Sequence, residues 1–157
     1  MEKIAIFVDV QNIYYTTRQA YRGQFNYRRF WESINANAQI ITAIAYAIDS
    51  GDSGQHKFQT ALKHIGFQVK LKPYIQRADG SAKGDWDVGI TIDILETAAT
   101  VDKVVLLSGD GDFAILLDRI SSIHKVNTAV YAVPQLTAKS LIDACDQFHA
   151  ITDDDLL

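Results

Sequence analysis

The sequence predicts an α/β domain built on a mostly parallel sheet with helices on both faces. Three observations carry this. Short, continuous apolar runs recur along the chain, as in strands buried on both sides. Segments with helical spacing separate them. The chain has 157 residues, 48% of them hydrophobic, with two prolines. That is enough for one such domain and too little for two ordinary ones.

The elements follow in order. Lys3–Asp9 (KIAIFVD) is an apolar run that ends in an acid, and reads as the first strand. Asn12–Arg22 and Tyr27–Asn35 read as helices separated by Gly23. Ile40–Ile48 is a second buried strand, and Asp49–Gly54 (DSGDSG) is a loop. His56–Ile65 has helical spacing, with Gly66 as its stop. Phe67–Ile75 is a strand and Gln76–Gly84 an exposed loop. Asp87–Ala99 reads as a helix with Val88, Ile92, Leu95 and Ala99 on one face. Lys103–Leu107 is the fourth strand, Phe113–Ile123 a helix and Val126–Val133 the fifth strand. Pro134 and a helix near Thr137–Ala144 follow. A single domain is thus expected over residues 1–150, with 151–157 as a short acidic tail, frayed or peripheral.

Several function classes are excluded at this level. No apolar run approaches the ~20 residues of a membrane span. The start, MEKIAIFVD, lacks the basic and long apolar regions of a signal peptide. Cys145 is alone, which rules out an internal disulfide and a thiol-based metal site. The expected setting is a reduced cytoplasm, with no membrane partner. Net charge is −4 but unevenly divided: residues 1–83 carry +5 and residues 84–157 carry −9. An acidic centre beside a basic, aromatic surface suits a metal site acting on a phosphodiester. Mixed surface charge that happens to segregate along the chain gives the same division.

In a sheet of this type, ligand sites lie beyond the carboxyl ends of the strands. The first strand ends in Asp9, followed by Gln11 and Asn12, and the fourth runs into Ser108-Gly109-Asp110-Gly111-Asp112-Phe113. The Lys83-Gly84-Asp85-Trp86-Asp87 segment brings Asp87 to the first turn of its helix, at the same edge. Each acid has an ordinary reading as well. Asp9 suits a helix N-cap, Asp110 and Asp112 suit a turn, and Asp87 complements a helix dipole. Asp93 lies about 240° around the helix from Asp87, so it either faces the site or supports it. The convergence of three segments is what favours a site. Carboxylates sharing a pocket are stable only if a cation sits among them or some of them stay protonated. An oxygen-only donor set selects Mg²⁺ or Mn²⁺, which would activate a water for phosphodiester hydrolysis. The four histidines are scattered and none pairs at ligand spacing.

These residues resemble the NYN domain family, a branch of the PIN-like metal-dependent ribonucleases, and in particular its bacterial LabA-like group. The resemblance rests on Phe7-Val8-Asp9-Val10-Gln11-Asn12, on Lys83-Gly84-Asp85-Trp86-Asp87-Val88 with Asp93, and on Leu107-Ser108-Gly109-Asp110-Gly111-Asp112-Phe113. It extends from residue 3 to about 148, and the Ser-Gly-Asp-x-Asp-Phe run is its most specific part. It implies a three-layer α/β/α fold with a five-stranded sheet in the order 3-2-1-4-5. It also implies a hydrolase whose acidic residues, Asp9, Asp87, Asp110 and Asp112, hold one or two Mg²⁺ or Mn²⁺ ions. Asn12, Lys83 and Ser108 match the family's supporting polar positions. RNA is the implied substrate. Because several family members act as regulators, the alternative is a weakly active or inactive scaffold working through a protein partner.

Tyr14, Arg18, Tyr21, Arg22, Tyr27, Arg28, Arg29 and Trp31 crowd the region after Asp9. Aromatic rings stack on unpaired bases and arginines bind phosphates, which is how single-stranded RNA is commonly held. For Tyr27, Phe30 and Trp31 packing is the expected role. Arg18, Arg22, Arg28 and Arg29, with Tyr14, are candidate RNA contacts, or alternatively a solvated face or a homodimer contact.

Overall fold

The computed structural model describes residues 1–49, 51–73, 75–76, 82–83 and 85–157. Its central sheet has six parallel strands: β1 (Glu2–Asp9), β2 (Ala38–Asp49), β3 (Gln68–Pro73), β6 (Lys103–Leu107), β7 (Asn127–Ala132) and β8 (Gln147–Ala150). Their spatial order is β3-β2-β1-β6-β7-β8. A separate pair joins β4 (Ile75–Gln76) to β5 (Ala82–Lys83), antiparallel. The expected exposed loop 76–84 therefore carries a short pairing, and its remaining positions, 77–81 and 84, lie outside the described residues.

The alternation of β1 explains its unbroken apolar run. Ile4, Ile6 and Val8 enter one core and Ala5 and Phe7 the other, all buried. In β6, Val105 and Leu107 face the first core and Val104 and Leu106 the second. Helices α1 (Val10–Tyr21), α2 (Tyr27–Asn35) and α3 (Ser53–Ile65) cover the first face. Helices α4 (Asp87–Thr97), α5 (Ala114–His124) and α6 (Lys139–Ala144) lie on the second. Each layer buries side chains that no single-sided sheet could shelter. Tyr27 and Phe30 are buried in the first core as expected, and Trp31 packs against Phe67 with ring centroids 5.0 Å apart.

Two expectations are corrected. The sheet has six strands rather than five. Strand β8 (QFHA) is a mostly exposed edge with only Phe148 turned toward the core, so it lacks the apolar run that marked the others. The chain end does not fray. Ile151 is 1% exposed, Thr152 and Asp155 form a reciprocal helix cap, and the Leu157 amide donates to the Gln24 carbonyl at 2.8 Å. The face of α4 that meets the sheet is Ile90 and Ile94, continued by Ala98 just past the helix. Val88 is 71% exposed, and Ile92, Leu95 and Ala99 also face water. The helix carries two apolar stripes at helical spacing, and periodicity alone does not say which one meets the sheet.

Candidate metal centre

Parallel pairing sets the site. Val8 of β1 is in register with Leu107 of β6, so the next residues, Asp9 and Ser108, leave the sheet side by side. The Ser108 hydroxyl donates to Asp9 Oδ2 at 3.0 Å, and its oxygen accepts from the Asp110 amide at 3.2 Å. Asn12 Oδ1 accepts the Gly109 amide at 2.9 Å. The two strand ends are thus laced together by the two supporting residues that lie between them. Asp9 and Asp110 also fill their ordinary roles. Asp9 accepts the Asn12 amide at the start of α1, and Asp110 accepts the Asp112 amide at 2.9 Å. Capping holds each carboxylate in place while leaving lone pairs free. Gly111 is required by close approach, since a Cβ there would lie 2.7 Å from the Cβ of Ala138.

Asp87 enters at the first turn of α4. Asp87, Asp110 and Asp112 each present a carboxylate oxygen such that all three lie within 4.8 Å of one another. Among the described residues this trio is the group of acidic, His or Cys side chains with metal-binding geometry. Asp9, the fourth predicted acid, is not one of the trio. Burial pushes its carboxyl up to about 6, against the opposing hydrogen bonds from Ser108 and Asn12, and the charges of Asp110 and Asp85 push the same way. Asp87 is pushed up to about 7, first by burial, then by a hydrogen bond with Asp110 and by the charges of Asp110, Asp85 and Asp9. Below about pH 7 the cation-free Asp87 carboxyl therefore keeps its proton, hydrogen-bonded to Asp110. A divalent ion would replace that proton, and the all-oxygen donor set fits Mg²⁺ or Mn²⁺.

The other predicted residues divide. Asp93 does not join the cluster. Its Oδ2 accepts the Tyr46 hydroxyl and the Lys70 ammonium, both at 2.7 Å. Lys83 lies in β5, and its side chain is outside the described residues. Tyr14, Arg18 and Arg22 line a shallow cavity of about 180 Å³ at the outer side of α1, with Gly23 and Gln24. Arg18 Nη1 donates to the Tyr14 hydroxyl at 2.6 Å. Arg28 is exposed, whereas Arg29 is taken up by the Asp154 carbonyl at 2.7 Å. Asp85 was not among the predicted site residues. Its carboxylate accepts the Asp87 amide at 3.3 Å, and its charge acts on both Asp9 and Asp87. The signal for it was an acid two residues ahead of a helix-starting acid, which suits an Asx turn.

A sequence profile of the NYN domain matches residues 3–152. The low amplitude and bright protein LabA of Synechococcus elongatus is 30% identical over an alignment of 162 residues, covering 96% of this chain and 84% of LabA. A crystal structure of a Vibrio parahaemolyticus protein of unknown function superposes with a TM-score of 0.94 at 56% identity, covering 99% of this chain and 96% of the other. A carbohydrate kinase from Agrobacterium tumefaciens shares the fold alone, with a TM-score of 0.51 at 12% identity over 94% of this chain and 60% of the kinase. Among the described residues, no helix is long and apolar enough to cross a membrane. With the profile spanning nearly the whole length, and the acid-bearing strand ends meeting as described, the chain belongs to the NYN domain family.

Proposed function

We propose that this protein is a divalent-metal-dependent ribonuclease acting on RNA phosphodiesters at the Asp87–Asp110–Asp112 cluster. The observation that carries the reading is the trio of carboxylate oxygens within 4.8 Å, with Asp87 held protonated up to about 7. Such a cluster is unfavourable without a cation, and its position at the carboxyl edge of a parallel sheet is where substrates reach this class of fold. A bound Mg²⁺ or Mn²⁺ supplies a nucleophilic water near neutral pH and offsets charge on the phosphate. The protein's own part is placement. Asp87, Asp110 and Asp112 would ligate the ion, and Asn12 and Ser108 lock the two loops together, Ser108 through Asp9. Single-stranded RNA is the substrate form we favour, with Arg18 and Arg22 on phosphates and Tyr14 against a base, because all three are grouped on the outer side of α1.

A second reading keeps the same fold as a regulatory scaffold bound by a protein partner, either another protein or a second copy. It is favoured by the exposed apolar stripe of Val88, Ile92 and Leu95, with Ile115, 79% exposed, on α5. Incubation of purified protein with a fluorogenic single-stranded RNA and Mn²⁺, Mg²⁺ or EDTA separates the two. The ribonuclease reading expects cleavage that requires metal and is lost in Asp110→Asn. No cleavage by folded protein under either metal favours the scaffold.

A further inference from the structure

A helix turns about 100° per residue, so Asp87 meets Asp110 and Asp112 only if the first turn of α4 is held at one rotation. The N-cap residue, Trp86, makes no side-chain capping bond, and the first amide, that of Asp87, is served by the Asp85 carboxylate at 3.3 Å. What holds Trp86 is a set of contacts from the neighbouring strands. The indole N–H donates to the Ala47 carbonyl of β2 at 2.9 Å. The ring lies 5.3 Å from that of Tyr46, and the Lys72 ammonium sits 4.7 Å from its centroid. Lys72 also donates to the Asp85 carbonyl at 2.9 Å, so one side chain clamps two consecutive residues ahead of Asp87. On the helix side the ring rests where Gly89 has no side chain, since a Cβ there would lie 2.6 Å from it. The Trp86 carbonyl then accepts the helix-initiating bond from the Ile90 amide at 2.8 Å. Two turns further on, Asp93 takes the Tyr46 hydroxyl and Lys70, which fixes the same helix to the same two strands.

We propose that Trp86 is a positioning residue: clamped by Ala47, Lys72 and Gly89, it sets the rotation of α4 that delivers the Asp87 carboxylate to Asp110 and Asp112. The inference rests on the reading of that trio as a metal site. Ordinary core packing would also use a large ring, so the test must separate alignment from stability. Trp31 provides the control, as an equally large ring packed on Phe67 in the opposite layer.

Mn²⁺ affinity of the full chain is measured by calorimetric titration for the wild type, Trp86→Leu, Trp86→Phe, Gly89→Ala and Trp31→Leu, each checked for folding by circular dichroism. Loss of a group that orients a metal ligand costs roughly tenfold or more in affinity, and that is the loss expected for Trp86→Leu. Gly89→Ala, which keeps the indole but displaces it, is expected to show the same direction. Trp86→Phe keeps the ring but loses the N–H, and is expected to fall between. Trp31→Leu is expected to lower the melting temperature and leave Mn²⁺ affinity at the wild-type value. If Trp86→Leu does not fold, Trp86→Phe and Gly89→Ala decide. Wild-type affinity in those variants, or an equal loss in Trp31→Leu, overturns this inference alone. Failure of the wild type to bind Mn²⁺ overturns the metal reading and this inference with it.

Discussion

Replacing Asp87 by Asn should make the cation-free protein more stable, because it removes a charge that the site tolerates only when metal or a proton is present. Asp87 is the suitable position: Asp9 and Asp110 each accept a capping amide, whereas no capping bond is assigned to the Asp87 carboxylate. In the folded chain Asp87 keeps its proton up to about pH 7, against 3.8 for an ordinary aspartate. At roughly 1.4 kcal/mol per pH unit the ceiling is about 4 kcal/mol. Asp87 is half-exposed, and solvent screening reduces this to about 1 kcal/mol. Between those two pH values the folded state binds more protons than the unfolded one. Stability therefore falls as pH rises through that window and levels off above it. Asp9 titrates in the same sense in both proteins, so the difference between wild type and Asp87→Asn reports Asp87 together with its coupling to Asp9 and Asp110. Thermal melts in EDTA at pH 5 and pH 8 are the assay. At pH 8 the variant should melt about 2–4 °C above the wild type, and its advantage should vanish toward pH 4. Excess Mn²⁺ should reverse the order, raising the wild type and not the variant. A variant that melts below the wild type at pH 8 in EDTA, or a difference independent of pH, would refute the argument from crowded carboxylates.

Three further outcomes follow from the same geometry. Arg18→Glu and Arg22→Glu should raise KM for single-stranded RNA with little change in kcat, and Arg29→Ala should leave both unchanged, because Arg29 is engaged by Asp154; steady-state kinetics check this. Ile94→Ala should cost about 2–5 kcal/mol by urea unfolding, whereas Ile92→Ser should stay within about 0.5 kcal/mol, since only the first is buried. Truncation after Ala150 should lower the melting temperature, because Ile151 is buried and the last turn bonds back to Gln24 and Asn26.

Much of this architecture is readable from local sequence, for a definite reason. Strands β1 and β6 are buried on both faces, so KIAIFVD and KVVLL carry their environment in their composition. The acids that follow them must fall at one edge of a parallel sheet, so the sequence alone groups Asp9, Asp110 and Asp112. What stayed hidden depends on contacts between distant segments. Strand β8 is recognisable only through its pairing with β7. The inner face of α4 is chosen by the clamp on Trp86 and not by the spacing of its apolar residues, two sets of which fit. Asp93 shares the helix with Asp87, yet its partners come from β2 and β3, and no spacing rule names Tyr46 and Lys70. The partners of Asp9 also escape the sequence: it ends its strand as predicted, but its carboxylate is largely buried and bonded to the Ser108 hydroxyl.

If Asp87, Asp110 and Asp112 together hold a divalent cation, anomalous diffraction from crystals grown or soaked with Mn²⁺ will show it. A manganese peak is expected within coordination distance of all three carboxylates, absent in crystals of Asp110→Asn. A peak elsewhere, or none with the three carboxylates ordered at full Mn²⁺ load, would contradict it.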